Sequence, residues 1–79
     1  MPLSEPQAKL LGALIAEDGR RVSVRELSRQ TDLSEHVARK EIAELAHCDL
    51  VAGTARGWLP TGRGRALFRK PVYREFSRR

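Results

Sequence analysis

Three serines, Ser4, Ser23 and Ser34, each stand immediately before a short run whose apolar residues recur three or four apart. A serine in that position accepts an amide proton from the first turn that follows, so it marks a helix start. Ser4-Glu5-Pro6-Gln7 has the full capping-box spacing, with Pro6 inside the first turn, where its missing N–H costs nothing. Leu10, Leu11, Leu14 and Ile15 follow until Asp18-Gly19, which predicts a helix of about three turns with one apolar face. Arg20-Arg21-Val22 reads as a short extended segment with Val22 inward. Ser23-Val24-Arg25-Glu26 repeats the capping-box spacing and opens a helix of about two turns, through Leu27 and Ser28 to Gln30. Thr31-Asp32-Leu33 makes a turn with Leu33 as its buried plug. Ser34 caps a third helix, and Glu35 sits favourably at the positive end of its dipole. Ala38, Ile42 and Leu45 form the inward stripe of that helix, widened by Val37. Its opposite face carries Glu35, His36, Arg39, Lys40, Ala43 and Glu44.

Beyond residue 49 the period changes. Leu50-Val51-Ala52 is strand-like, Gly53-Thr54-Ala55-Arg56-Gly57 reads as a turn, and Trp58-Leu59 returns as the second strand of a hairpin. Thr61 caps a last helix from Arg63 to Arg69, which Pro71 ends. Val72, Tyr73 and Phe76 are spaced to form one further apolar face, on a short helix beginning at Pro71. Residues 1–69 therefore read as one domain, and 70–79 as a basic tail or short extra helix. The expected fold class is mainly α with a small β-hairpin wing, the order of a winged helix-turn-helix.

Composition limits what such a chain can do. At 79 residues it buries roughly 60–65% of its unfolded surface, and its core stabilises it by about 3–5 kcal/mol net. The single cysteine permits no internal disulfide, and no Cys/His framework suggests a structural zinc. Room for an enclosed substrate pocket is scarce, and Ser, His and Asp occur at no catalytic spacing, so no enzyme and no cofactor are expected. His47-Cys48-Asp49 resembles a metal-ligand run only superficially, because consecutive helical residues point about 100° apart; Cys48 reads as a small buried residue instead. Nothing in the chain reads as a membrane span or a signal peptide, and the expected address is cytoplasmic and nucleoid-associated.

Charge is distributed unevenly. Residues 1–50 carry seven basic against nine acidic side chains, a net of −2; residues 51–79 carry eight basic against one acidic, a net of +7. The formal balance of +5 points to an anionic partner gripped by the back half.

Several segments resemble bacterial winged helix-turn-helix regulators of the GntR, MarR and ArsR families. Arg25-Glu26-Leu27-Ser28 through Leu33-Ser34 is similar to the opening of their motif. Ser34-Glu35-His36-Val37-Ala38-Arg39-Lys40-Glu41-Ile42 matches the GntR-like S-x-x-x-V-R-x-x-L, with Ala38 where Val is usual. Ile42-Ala43-Glu44-Leu45 and Asp49-Leu50-Val51 resemble the L-x-x-L…G-L-V that leads into the wing; Asp49 stands where Gly is common, which predicts a less tight helix exit. Thr61-Gly62-Arg63-Gly64-Arg65-Ala66-Leu67 is similar to the MarR-like L-T-x-x-G-R-A-L. The resemblance runs from about Gln7 to Phe68 and includes none of those families' effector domains or long dimerisation helices.

The resemblance implies a third helix in the major groove of double-stranded DNA. Arg39 then reaches guanine or clamps a phosphate, Lys40 touches phosphate, and Ser34 and His36 bond phosphate or a base; each is otherwise a solvated or capping residue. Arg56 at the hairpin tip is placed like a minor-groove wing arginine, with Thr54 beside it on phosphate. Arg63 and Arg65 begin the last helix, where backbone amides also favour anions, and Arg69, Lys70, Arg74, Arg78 and Arg79 extend the basic tract. Trp58 reads as a wing anchor rather than a stacking platform. A small bacterial or phage transcriptional regulator is the leading expectation. A dimer through the terminal apolar residues Leu3, Val72, Tyr73 and Phe76 would extend its short reading helix, although the same residues equally suit the monomer's own core. The rival classes are a protein-interaction module, adaptor or inhibitor, which the −2 of the motif half suits, and a shape-dependent nucleic-acid binder.

Overall fold

Ser4 closes a reciprocal box: the Gln7 amide donates to Ser4 Oγ (3.3 Å) and the Ser4 amide to Gln7 Oε1 (3.1 Å). Helix α1, Glu5–Ala16, follows in the computed structural model, which describes residues 3–76. Helices α2 (Val24–Thr31) and α3 (Glu35–His47), strands β1 (Val51–Thr54) and β2 (Gly57–Pro60), α4 (Gly62–Phe68) and a terminal 3₁₀ helix (Pro71–Phe76) complete the order. The two strands pair antiparallel, Val51 opposite Pro60 and Thr54 opposite Gly57. This is the winged helix-turn-helix arrangement, mainly helical with one hairpin after the third helix.

Helix α1 is the hub. It packs against α2, α3, β2, α4 and the 3₁₀ helix, so burial reaches beyond the single apolar face its leucines predict. Gly12 and Ala13 are buried with Leu10, Leu11 and Leu14, while Ile15 is only half-buried. A side chain at Gly12 would meet the Phe76 carbonyl oxygen at 2.6 Å and the Phe68 ring at 2.9 Å. Around this hub Val22, Leu27, Ala38, Ile42, Leu45, Leu50 and Val51 complete the core. Each fully buried Leu or Ile contributes about 1.5–3 kcal/mol by leaving water.

Helix α2 begins at Ser23, whose hydroxyl oxygen accepts from the Glu26 amide at 3.1 Å. The box is only half made. The Glu26 carboxylate turns instead to the Arg20 guanidinium and to Gln30, because a charged donor outcompetes a neutral backbone amide. In the turn, Asp32 takes a left-handed conformation (φ 62°). Thr31 is the buried member; its hydroxyl donates to the Leu27 carbonyl at 2.6 Å. Leu33 packs on the core half-buried rather than fully plugged into it.

Helix α3 leaves by a complete Schellman turn. The Asp49 amide donates to the Ala46 carbonyl (3.0 Å), the Leu50 amide to that of Leu45 (2.9 Å), and Asp49 holds φ 62°. Aspartate tolerates the left-handed region that glycine usually fills, so the exit is tight, against expectation. Cys48, the C-cap, is exposed rather than buried, since it lies beyond the last inward turn.

The hairpin turn is shorter than its sequence suggests. Thr54 pairs with Gly57, leaving Ala55 and Arg56 as the two turn residues. Gly53 belongs to β1, opposite Trp58, and its missing side chain admits the indole: a Cβ there would lie 2.7 Å from the ring. Val22 pairs with Trp58 on the far side of β2, with amide-to-carbonyl bonds of 3.0 and 2.9 Å. Trp58 is thus anchored, half-buried against the core.

Thr61 caps α4, accepting from the Gly64 amide at 3.0 Å and donating to the Asp49 carbonyl at 2.7 Å. The 3₁₀ helix folds back on α1. Tyr73 is only 5% exposed, its hydroxyl accepts from the Leu3 amide at 2.9 Å, and its ring stacks on Phe68. Of the four residues considered for a dimer face, Tyr73 is therefore consumed within the chain and only Val72, 68% exposed, stands clear. Arg78 and Arg79 lie outside the described residues.

Candidate nucleic-acid interface

Burial of Ala38, Ile42 and Leu45 at spacings of four and three turns the opposite side of α3 outward. Glu35, His36, Arg39, Lys40, Ala43 and Glu44 are all exposed. They form two rows, Glu35-Arg39-Ala43 and His36-Lys40-Glu44, with the cations in mid-helix and the carboxylates at its two ends.

Glu35 joins two arginines. Its carboxylate oxygens lie 4.0 Å from Arg39 of the same helix and 4.0 Å from Arg25 of α2. Contacts this long between exposed groups contribute a few tenths of a kcal/mol at most. They orient the guanidinium groups without holding them back from a phosphate or a base. Arg25 was not among the residues singled out from sequence. The signal was present: Leu27 points inward and Arg25, about 200° away around the helix, must point out. That Arg25 stands beside the start of α3 depends on how the two helices cross.

At the N-terminus of α3, the Ser34 hydroxyl oxygen accepts from the Val37 amide at 3.1 Å, leaving its proton free to donate outward. The wing differs. The Thr54 hydroxyl accepts from the Arg56 amide (3.1 Å) and donates its one proton to the Gly57 carbonyl (3.0 Å). It shapes the turn and has no donor left for a phosphate. Arg56 projects from the second turn position, exposed.

No protein-family model matches this chain, and a comparison with curated proteins found no match.

Gly64, buried between Arg63 and Arg65, parts the two arginines of α4. Arg63 lines a groove of about 510 Å³ shared with Leu3, Glu44 and Cys48, at the far end of the α3 face. Arg65 lines a separate cleft of about 310 Å³ against α1, together with Arg69 and Arg74. Arg63 and Arg65 therefore line different clefts, and Lys70 borders both. A second cluster had no simple sequence signature. Arg20 bonds both Glu17 and Glu26, and Gln30 donates to both carboxylates, at 3.1 and 3.2 Å. It ties the end of α1 to α2 and holds the Glu26 carboxyl below its ordinary value, chiefly through the Arg20 hydrogen bond. His47, Cys48 and Asp49 are exposed, and among the described residues no three His, Cys, Asp or Glu side chains gather to hold a metal. No helix among them is long and apolar enough to cross a membrane.

Proposed function

We propose that this chain is a sequence-specific DNA-binding protein, a small bacterial or phage transcriptional regulator that acts in the cytoplasm by binding rather than by catalysis. The observation that carries the reading is the uncovered outward face of α3, with Arg39 and Lys40 at its centre. A helix bare along one side, followed by a hairpin with an exposed arginine at its turn, suits a major groove and its flanking minor groove. Arg39 reads guanine or clamps a phosphate, Lys40 and the Ser34 hydroxyl meet phosphate, and His36 faces a base or the backbone. Arg25 and Arg56 grip the backbone on either side of α3. Arg65 stands outside this set because it faces the cleft against α1. The resemblance to GntR-, MarR- and ArsR-type regulators points the same way. One short helix reads only a few base pairs, so useful selectivity requires two copies or tandem sites.

Selection from a random DNA library at several salt concentrations tests the reading. A recovered consensus whose affinity falls as salt rises supports it, and no binding even at low salt sinks it. A second reading, a protein-interaction module, is favoured by Glu35 and Glu44, which put a carboxylate at each end of the α3 face and weaken its attraction for DNA.

A further inference from the structure

The cleft between α1 and the C-terminal segment gathers positive charge without an evident structural need. Arg65 on α4, Arg69 at its C-cap, Lys70 in the bend that follows, and Arg74 on the 3₁₀ helix all line it, and no carboxylate does. Among the described residues none of the four has an ion-pair partner; the ion pairs there involve only Arg20, Arg25 and Arg39. The remaining wall is apolar, made by Ile15 and Ala16 of α1 and by the Phe68 and Tyr73 rings, stacked with centroids 5.9 Å apart.

The simplest alternative is that these cations only neutralise helix ends. Helices α1 and α4 both terminate here, and each C-terminus carries about half a negative charge. Their last turns are already bonded by the amides that follow: Asp18 to the Ile15 carbonyl (3.1 Å), Arg69 to that of Ala66 (3.3 Å) and Lys70 to that of Leu67 (3.2 Å). About one negative charge thus faces four positive ones, and a surplus of roughly three remains. That surplus sets a positive potential over the apolar wall, which draws an anion to the cleft.

We propose that this cleft binds a small organic anion with a doubly charged head and an apolar body, the chemistry of a phosphate monoester of an aromatic or aliphatic alcohol. Arginines fork onto phosphate oxygens, and the body lies against Ile15, Ala16 and the aromatic rings. The volume of about 310 Å³ is at the small end of ligand pockets, which span roughly 300–1,000 Å³. No residue of α3 or of the hairpin lines the cleft, so this site is independent of the DNA reading and can hold if that reading fails.

The test is an amide-resolved NMR titration of the full chain with phenyl phosphate, run beside inorganic phosphate, phenol and a random-sequence DNA duplex. The expected result is saturable shifts centred on Gly12, Ile15, Ala16, Phe68 and Tyr73, with phenyl phosphate binding at least about tenfold more tightly than either fragment. Arg69→Gln, at an exposed position, should weaken it about tenfold while the spectrum keeps its dispersion; Lys70→Gln repeats the measurement should that variant lose its fold. Absence of saturation overturns the proposal. So does inorganic phosphate binding as tightly as phenyl phosphate, which marks a bare charged patch. DNA shifting the same amides while phenyl phosphate fails to compete also overturns it, and assigns the cleft to nucleic-acid backbone.

Discussion

Gly64 stands directly against the carbonyl of Leu50: a Cβ at position 64 would lie 2.1 Å from that oxygen. The contact seats α4 on the exit of α3, where the Thr61 amide also donates to the Leu50 carbonyl at 3.1 Å. In an open helix, Gly→Ala stabilises by about 0.5–1 kcal/mol. Here the sign reverses, since backbone rather than a movable side chain blocks the methyl. Gly64→Ala should destabilise by about 1–3 kcal/mol, a large share of what so small a domain holds. Urea unfolding measures it, and a more stable variant would show that α4 does not dock this closely.

Arg39 is 66% exposed and only loosely tied to Glu35. Arg39→Ala should weaken binding to the preferred DNA site by about 1–3 kcal/mol and random DNA less. Equal losses on both, read by titration at one salt concentration, would make Arg39 a phosphate contact alone. Glu35→Gln should raise affinity for both DNAs, because it removes a negative charge from the face.

The grip on phosphate should come from α2, α3 and the hairpin turn. If Arg25, Arg39, Lys40 and Arg56 neutralise about four phosphates, the log–log salt slope lies near −3.6. Arg25→Ala or Arg56→Ala should each reduce its magnitude by about 0.9, and Arg65→Ala should leave it unchanged. A slope that falls for Arg65→Ala but not for Arg56→Ala would move the DNA to the cleft against α1.

The Arg20 hydrogen bond keeps the Glu26 carboxyl below its usual value of 4.5. A carboxyl with a lowered folded-state pKa adds stability above its unfolded value and loses it as pH falls through the folded one. Wild type should therefore melt above Glu26→Gln near neutrality, and the gap should close in acid. High salt should narrow it as well, since the pair is exposed to solvent. A gap of the same size from neutrality into acid would mean that Glu26 acts through packing or neutral hydrogen bonds.

Local rules carried the helices. Ser4, Ser23, Ser34 and Thr61 each accept an amide proton from three residues ahead, an interaction complete within one turn and so written in a few adjacent residues. The inward stripe of α3 and its six outward residues were legible for the same reason, because helical period alone sorts them. Where two local options differ in reach, the sequence could not choose. Glu26 has capping-box spacing to Ser23, yet Arg20 takes its carboxylate. Gly53 looks like a turn residue, yet the Trp58 ring across the hairpin requires it within a strand.

The amino-acid sequence by itself determined the order of elements, their caps and which side of α3 faces water, since each depends on residues within about four positions of one another. Only the tertiary structure decided what those elements meet. Tyr73 joins the core through Leu3, seventy positions away, which withdraws it from any dimer face. Arg63 and Arg65 are bound by helical geometry to opposite sides of α4. Which of them faces α3 and which lines the basic cleft against α1 follows from Gly64 docking on Leu50. Such contacts arise from the shape of two surfaces fitted together, and shape at that distance is a property of the folded chain rather than of any stretch of it.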